Sequence, residues 1–528
     1  PPVNKPIHTG ILSFINYCLN PTGKMPRFYL TTPLYYVNDK PHIGHAYTTI
    51  LADVLTRYHR IMGEDVFFLT GTDEHGQKVQ EAASKRDVEP KVHVDEYVTR
   101  FQKLWEKLHI EYADFIRTTE RRHTDRVKEL LTTLYEKGEI YPDKYEGLYS
   151  VSEERFVTEK EVEEGDFRQI KKLKEKNYFF RMSKYQNALI KYIESHPEFI
   201  KPGSRRNEVL GFLKKPLNDL CISRPKSRLS WGIEIPFDHD YVTYVWFDAL
   251  LNYVTAIGWG SDETTFNKWW PVNYHLMGKD ILTTHAVYWP TMLMAAGIPL
   301  PKSILAHGWW MNEESKMSKS LGNVVNPLEL IDDYGVDSVR FFLMRDMVLG
   351  MDANFSMESF IKRYNADLAN DYGNLVNRVT ILIQKHFDGK IPESGNYDEI
   401  DLELLAEAKT TPQSVNKLIQ KLKIHDALET TLSLLRKINR YLEVKAPWKS
   451  IKEDSTQGGS AATTLALSAD VLRIGSQLLN PVMPEKTTTI LNILGAGNIP
   501  LNETNIGLLK PGSELGEGKS PFPRITVE

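Results

Sequence analysis

The chain has 528 residues, 41% apolar and 25% charged, with a net charge of −4. At about 150 residues per domain it holds three to four packed domains, which excludes a mainly disordered protein. The near-neutral balance excludes a wholesale basic protein of histone type but allows a local basic patch. No apolar run approaches the ~20 residues of a membrane helix, so a soluble protein without membrane contact is expected. Two cysteines, Cys18 and Cys221, exclude a disulfide scaffold and leave no Cys-x-x-Cys zinc pair, in keeping with a reducing cytoplasm.

The chain opens Pro1-Pro2, and Lys5 and Lys24 are the only charges before Met25. This segment lacks the charged start, long apolar core and cleavage site of a signal peptide; residues 1–25 are expected to be an extension, with Met25 the natural start. Phe28 to Thr32 forms a β-prone run. Ala46, Ile50, Val54, Tyr58 and Ile61 then recur at helical spacing, Gly63 ends the helix, and Asp65 to Thr70 suggests a second buried strand. This is a βαβ unit, which builds parallel sheets. The pattern returns at Tyr274–Met277, a helix from Asp280, and Ser303–Ala306, so one α/β domain comes in two pieces around an insertion. Between Arg168 and Arg228 stand 16 Lys or Arg against 5 Asp or Glu. Such a stretch is either a solvated face or a surface for phosphates. After Asn365 amphipathic helices dominate. In one, Leu428, Leu432, Leu435, Ile438 and Leu442 form an apolar stripe, with Asp426 and Glu429 placed like a capping box. Gly458-Gly459-Ser460 marks a loop, and the last thirty residues are expected to lie on the surface.

Two loops carry chemistry. His42-Ile43-Gly44-His45 lies between strand and helix, with the two histidines on one face of the first turn. The helix N-terminus suits phosphate, and Gly44 lets a ligand approach the backbone. A metal pair or incidental surface histidines remain open from these residues alone. Lys316-Met317-Ser318-Lys319-Ser320, after Gly308, suits a mobile clamp whose ammonium groups neutralise a leaving pyrophosphate. Alone, a short basic loop of this kind is usually just a solvated loop.

Together, in this order and at α/β loop positions, the two segments resemble the signatures of class I aminoacyl-tRNA synthetases. Thr32-Pro33-Leu34-Tyr35-Tyr36-Val37-Asn38, Gly71-Thr72-Asp73-Glu74-His75-Gly76, Tyr244-Val245-Trp246-Phe247-Asp248-Ala249 and Gly278-Lys279-Asp280-Ile281 resemble the methionyl-tRNA synthetases specifically, from about Arg27 to Trp448. The resemblance implies ATP-dependent ligation of L-methionine to tRNA(Met) through methionyl-adenylate, with Mg²⁺ accompanying ATP. It assigns His42, His45, Lys316 and Lys319 as catalytic, and adds Gly44 and Ser318 for ATP. Leu34, Tyr36, Trp246, Ala249, Tyr253, Ile281, His285 and Trp289 would enclose the methionine side chain, with Asp53 pairing the α-ammonium. A thioether favours such aromatic walls. Asn374, Arg378, Pro447 and Trp448 match the anticodon-reading elements, where a base stacks on indole and is read at its edge.

Departures are Leu250-Leu251-Asn252, where some relatives have Pro-Ile-Gly, and Gly147 to Glu154, where many carry zinc-binding cysteines. No zinc or other resident metal is expected, and Cys221 is expected to be a packed thiol. The implied fold is a class I Rossmann-like α/β catalytic domain split by an α+β connective insertion, followed by an all-α anticodon-binding bundle. The boundaries are 26–115 and 241–325 for the catalytic halves, 116–240 for the insertion, 326–364 for a stem-contact linker and 365–528 for the bundle and tail. Leucine, isoleucine and valine enzymes carry a longer editing insertion, a cysteine enzyme would use zinc in its pocket, and a silent tRNA-binding paralogue would not need all four signature side chains. A cytoplasmic monomer is expected.

Overall fold

A computed structural model describes residues 25–38, 40–150, 155–157, 162–163, 170–312, 315–316, 325–453 and 456–526. The extension at 1–24 lies outside them. The central sheet contains β1 (Arg27–Thr31), β2 (Tyr35–Tyr36), β3 (Asp65–Asp73), β4 (Asp114–Arg117), β8 (Ile200–Lys201), β12 (Tyr274–Gly278) and β13 (Ile304–His307). Its pairings are all parallel: β1 and β2 lie in line along β3, β4 also pairs with β3, and β12, β13 and β8 follow β1. Successive strand residues face opposite cores. Phe28, Leu30 and Phe68 pack toward the 43–61 helix, whereas Tyr29, Leu69 and Met277 pack toward the helices around Tyr253 and Trp289. Connections leave β1 toward β3 and β12 toward β13, so the strand order reverses between β1 and β12. Ligands bind at the carboxyl ends of strands flanking such a reversal.

A second, antiparallel sheet runs β6 (Arg155–Val157), β5 (Ile140–Ser150), β7 (Ile170–Phe180), β9 (Leu220–Cys221). Two small sheets complete the α/β part. One pairs β10 (Ser223–Pro225) with β11 (Tyr241–Thr243); the other joins β14 (Trp310–Asn312) to β15 (Ser315–Lys316) and β16 (Ala353–Phe355). The helical part packs the helices Glu399–Gln420, Ile424–Lys445 and Ser460–Leu479 around buried Leu428, Leu432, Leu435, Ile438 and Leu442.

Several boundaries differ from the sequence expectation. β4 straddles 115/116, and β8, from inside the basic insertion, closes one side of the central sheet. The 116–240 segment therefore returns to the catalytic sheet midway. Helical structure runs unbroken from Met357 to His386 with a π-type stretch at Tyr364–Gly373, so no break falls at 365. Asp426 and Glu429 do not form a capping box. The N-cap is Lys423, which pairs with Asp426 at 3.3 Å, while Glu429 binds Arg345 and Arg436. The last segment does lie along the surface, mostly exposed or half-buried, and is anchored there: Leu509 and Phe522 are buried, and Arg473 donates to the carbonyls of Glu503 and Asn505. Among the described residues no helix is long and apolar enough to cross a membrane.

Candidate functional site

His42 is the N-cap of the 43–61 helix, which starts at the carboxyl edge of the sheet. Its Nδ1 accepts the Gly44 N–H at 3.1 Å, and the Nδ1 of His45 accepts the His42 N–H at 3.1 Å. This reciprocal cap replaces the usual Ser…Glu pair with two imidazoles. Because each Nδ1 accepts, the proton of each neutral ring sits on Nε2, which is then a donor. The rings lie 3.8 Å apart. Gly44 is required by the cap itself: a Cβ there would stand 2.9 Å from Cε1 of His42. Two imidazoles with Nε2–H groups, held together at the positive end of a helix dipole, form a helix N-terminus whose chemistry suits phosphate.

The second constellation is aromatic. Tyr253, His285, Trp289 and Ala249 are buried, with Leu34, Tyr36, Trp246 and Ile281 half-buried beside them. His285 donates from Nδ1 to the Ile281 carbonyl at 2.9 Å, so its Nε2 accepts from the Tyr253 hydroxyl at 2.7 Å. Trp246 meets His285 edge-on at 5.9 Å. Behind them Trp289 donates its indole N–H to Nε2 of His275 at 3.1 Å, leaving Nδ1 of His275 to donate to Thr31 at 2.8 Å. Burial pushes His285 down to about 4 and His275 well below the usual imidazole range. Both rings are neutral at physiological pH, and the pocket is an uncharged aromatic box in which Tyr253, His285, Trp289 and His275 satisfy one another's polar atoms. His275 was not singled out by the sequence, where it looks like one polar residue within a buried strand.

Asp53 does not join this box. It is fully buried on the 43–61 helix, eight residues and about 12 Å beyond His45. Its carboxylate accepts from Arg57 at 2.7 Å, from Arg340 at 2.6 Å and from the Glu111 N–H at 2.8 Å. Arg340 also donates to the carbonyls of Leu108, Pro481 and Val482, so Asp53 belongs to a structural junction between the catalytic and helical parts. The carboxylate beside the box is Asp73, at the end of β3, in register with Tyr36. Burial pushes the Tyr253 hydroxyl up, against a hydrogen bond from Asn252, and the nearby Asp73 adds a smaller push in the same upward direction. The neighbouring Glu74 is taken by Arg117 at 2.6 and 3.0 Å. The available signal was position: an acidic residue closing a buried strand stands at the ligand edge of a parallel sheet, whereas one inside a helix does not.

Lys316 ends β15, whose backbone pairs with β14. Its side chain, together with Ser318 and Lys319, lies outside the described residues. Among the described residues no group of three or more His, Cys, Asp or Glu could hold a metal. Burial pushes the Cys221 thiol up, and its sulfur lies 3.7 Å from the Ser223 carbonyl oxygen.

In the helical part, Asn374, Arg378 and Trp448 line one open groove of about 890 Å³, with Asn370, Asn377 and Arg440. The Arg378 guanidinium stands 5.4 Å over the Trp448 ring and donates to Asn439. Ala446 ends the 424–445 helix in a left-handed conformation (φ 42°), and Pro447 opens the next helix. Pro447 fixes the corner, and Trp448 projects from it.

A parallel sheet reversing between β1 and β12, with a histidine-capped helix at that reversal and the Lys316-Met317-Ser318-Lys319-Ser320 sequence beginning at the end of β15, is the arrangement of a class I aminoacyl-tRNA synthetase. Residues 28–166 and 167–380 match the class I tRNA synthetase family of the methionine type, and residues 391–528 match the anticodon-binding domain of methionyl-tRNA ligase. The methionine–tRNA ligase of Caldanaerobacter subterraneus is 45% identical over 508 residues, 95% of this chain and 79% of that protein. That of Thermotoga maritima is 42% identical over 512 residues, 95% of this chain and 81% of the relative. Mycobacterium tuberculosis methionyl-tRNA synthetase in complex with methionyl-adenylate superposes with a TM-score of 0.91 at 40% identity, covering 95% of this chain and 100% of that one. The chain belongs to the methionyl-tRNA synthetase family.

Proposed function

We propose a division of labour for this chain's reaction, the ATP-dependent ligation of L-methionine to tRNA(Met). The methionine carboxylate attacks the α-phosphorus of ATP, which enters as its Mg²⁺ complex, and pyrophosphate leaves. The 3′-terminal adenosine of the tRNA then takes the methionyl group from the adenylate, and AMP leaves. The nucleophile is the substrate itself, so the protein's part is positioning and charge stabilisation. His42 and His45 present their Nε2–H donors to the phosphates, Lys316 and Lys319 close on the pyrophosphate side with Ser318, and the uncharged box takes the thioether. Asp73, in place of Asp53, takes the α-ammonium. Exposed lysines of the basic insertion, such as Lys171, Lys176, Lys214 and Lys215, face tRNA phosphates. Asn374, Arg378 and Trp448 read the anticodon. The chain works as a cytoplasmic monomer without resident zinc.

The reciprocal histidine cap beside the uncharged aromatic box carries this reading. Pyrophosphate exchange tests it: methionine supports exchange, and leucine, isoleucine, valine and cysteine do not. Exchange driven equally by one of those four would overturn the pocket assignment. Asp73→Asn raises the KM for methionine about tenfold and leaves that for ATP unchanged, because an amide oxygen still accepts from the ammonium but loses the charge assistance, ~1.4 kcal/mol. An unaltered methionine KM would remove Asp73 from the site. Elemental analysis after dialysis against chelator finds far less than about one zinc per chain, the stoichiometry of a structural site; a full equivalent would reverse the zinc-free assignment.

A further inference from the structure

Asp248 lies within the short helix Val245–Ala249, flanked by the pocket residues Trp246 and Ala249. It is fully buried, and both carboxylate oxygens are engaged. Oδ2 accepts from Nδ1 of His75 at 2.7 Å, and Oδ1 accepts from Nε2 of His123 at 2.7 Å. His75 stands two residues after Asp73 on the turn that leaves β3. His123 belongs to the 121–136 helix, and its other nitrogen lies 2.9 Å from Thr255 Oγ1. One carboxylate therefore ties together three segments: the turn that carries Asp73, the helix that carries Trp246 and Ala249, and the 121–136 helix. Burial pushes Asp248 up, but His75 and His123 outweigh it and hold the carboxyl below its usual range. A buried carboxylate is expensive to keep, and apolar packing of the same volume commonly serves stability as well or better. What apolar packing cannot supply is direction. Two charge-assisted hydrogen bonds at fixed angles hold neighbouring segments in register to a fraction of an ångström.

We propose that Asp248 is a positioning residue for methionine recognition: through His75 it sets the distance between the α-ammonium partner Asp73 and the thioether box built around Trp246. The proposal rests on the reading of Asp73 given above. The test compares L-methionine with 4-(methylthio)butanoate, which keeps the thioether and the carboxylate and lacks the ammonium group. In Asp248→Asn, one of the two histidine donors loses its acceptor. The KM for methionine in pyrophosphate exchange rises about tenfold, the scale of one buried hydrogen bond to a charged group. kcat, the KM for ATP and inhibition by the analogue stay within about threefold. His75→Leu shows the same split. His75→Asn places an amide N–H where Nδ1–H stands and recovers most of the loss, although Asn and Leu have nearly the same shape. The His75 pair decides the matter even where Asp248→Asn fails to fold.

Equal impairment of His75→Asn and His75→Leu would reduce the contact to packing and overturn the proposal. So would parallel loss of analogue binding, or a fall in kcat together with a rise in the KM for ATP. Asp73→Asn separates the two levels. If it weakens methionine but spares the analogue while His75→Leu does nothing, the Asp73 reading stands and the positioning role falls. If Asp73→Asn leaves the methionine KM unchanged, the ammonium assignment itself fails.

Discussion

Replacing His45 by asparagine slows methionine-dependent pyrophosphate exchange by about 10²-fold while the KM for ATP stays within about threefold, because the change removes a donor aimed at developing charge and little else. His45 has two separable jobs. Its Nδ1 accepts the His42 N–H and helps to close the first turn of the 43–61 helix. Its Nε2–H is the proposed phosphate donor. Asparagine carries an oxygen where Nδ1 stands, so it keeps the cap and loses the donor. Glutamine carries its amide near the Nε2 position, so it keeps a donor and loses the cap, at a cost of ~0.5–2 kcal/mol in stability. The expected pattern is a crossed one: His45→Asn melts near the parent temperature but is slow, and His45→Gln melts lower but retains most of the rate. An asparagine variant with parental exchange would show that His45 acts only as a cap. A glutamine variant as slow as the asparagine one would show that correct closure of the turn, not the donor, is what catalysis needs.

The same helix shows what a sequence makes legible. Ala46, Ile50, Val54 and Tyr58 are all buried, as their spacing requires. β1, β3, β12 and β13 fall within a few residues of the apolar runs that predict them, because a strand buried on both faces has a continuous apolar pattern. β8 is two residues, Ile200–Lys201, inside a lysine-rich stretch. It has no pattern of its own and exists because β13 offers an open edge. Asp53 and Asp73 mark a different limit. Each is an acidic residue in an apolar setting, and the deciding fact for Asp53 is a partner 287 positions away, Arg340. No local pattern encodes that partner. Asp426 and Glu429 fail for a related reason: their spacing matches a capping box, but the helix starts three residues too early for Asp426 to be its N-cap, and Arg345 from another helix and Arg436 from the same helix claim Glu429. The aromatic box was legible as a set of aromatic positions. The directions of its hydrogen bonds, which fix the tautomer of each buried neutral histidine, were not, because they depend on His275 and Thr31 meeting across two strands.

Trp448→Ala lowers aminoacylation by between one and two powers of ten, since stacking on a nucleobase contributes roughly 1–3 kcal/mol. The geometry favours an exposed stacking role over a core role. Trp448 is 37% exposed, among the more open large apolar side chains of the chain, while the neighbouring stripe from Leu428 to Leu442 is fully buried. It is presented at a fixed corner, between the left-handed Ala446 and the helix that Pro447 opens. Arg378 hovers 5.4 Å over its ring, and Asn374 lines the same groove, so a base stacked on the indole meets hydrogen-bonding groups at its edge. The groove is built by helices of the C-terminal part, whereas the histidine-capped turn stands at the central sheet, so exchange measured without tRNA stays near the parent value. Trp448→Phe keeps a smaller aromatic face and falls between the two. Removing a partly exposed ring changes the melting temperature little, which keeps the comparison interpretable. A parallel loss of exchange and aminoacylation would mean that the indole supports the fold, and an alanine variant that charges tRNA at the parent rate would mean that the anticodon is read elsewhere. Loss of charging with exchange and melting temperature both preserved is the result that the exposed ring, the guanidinium above it and the proline corner together require.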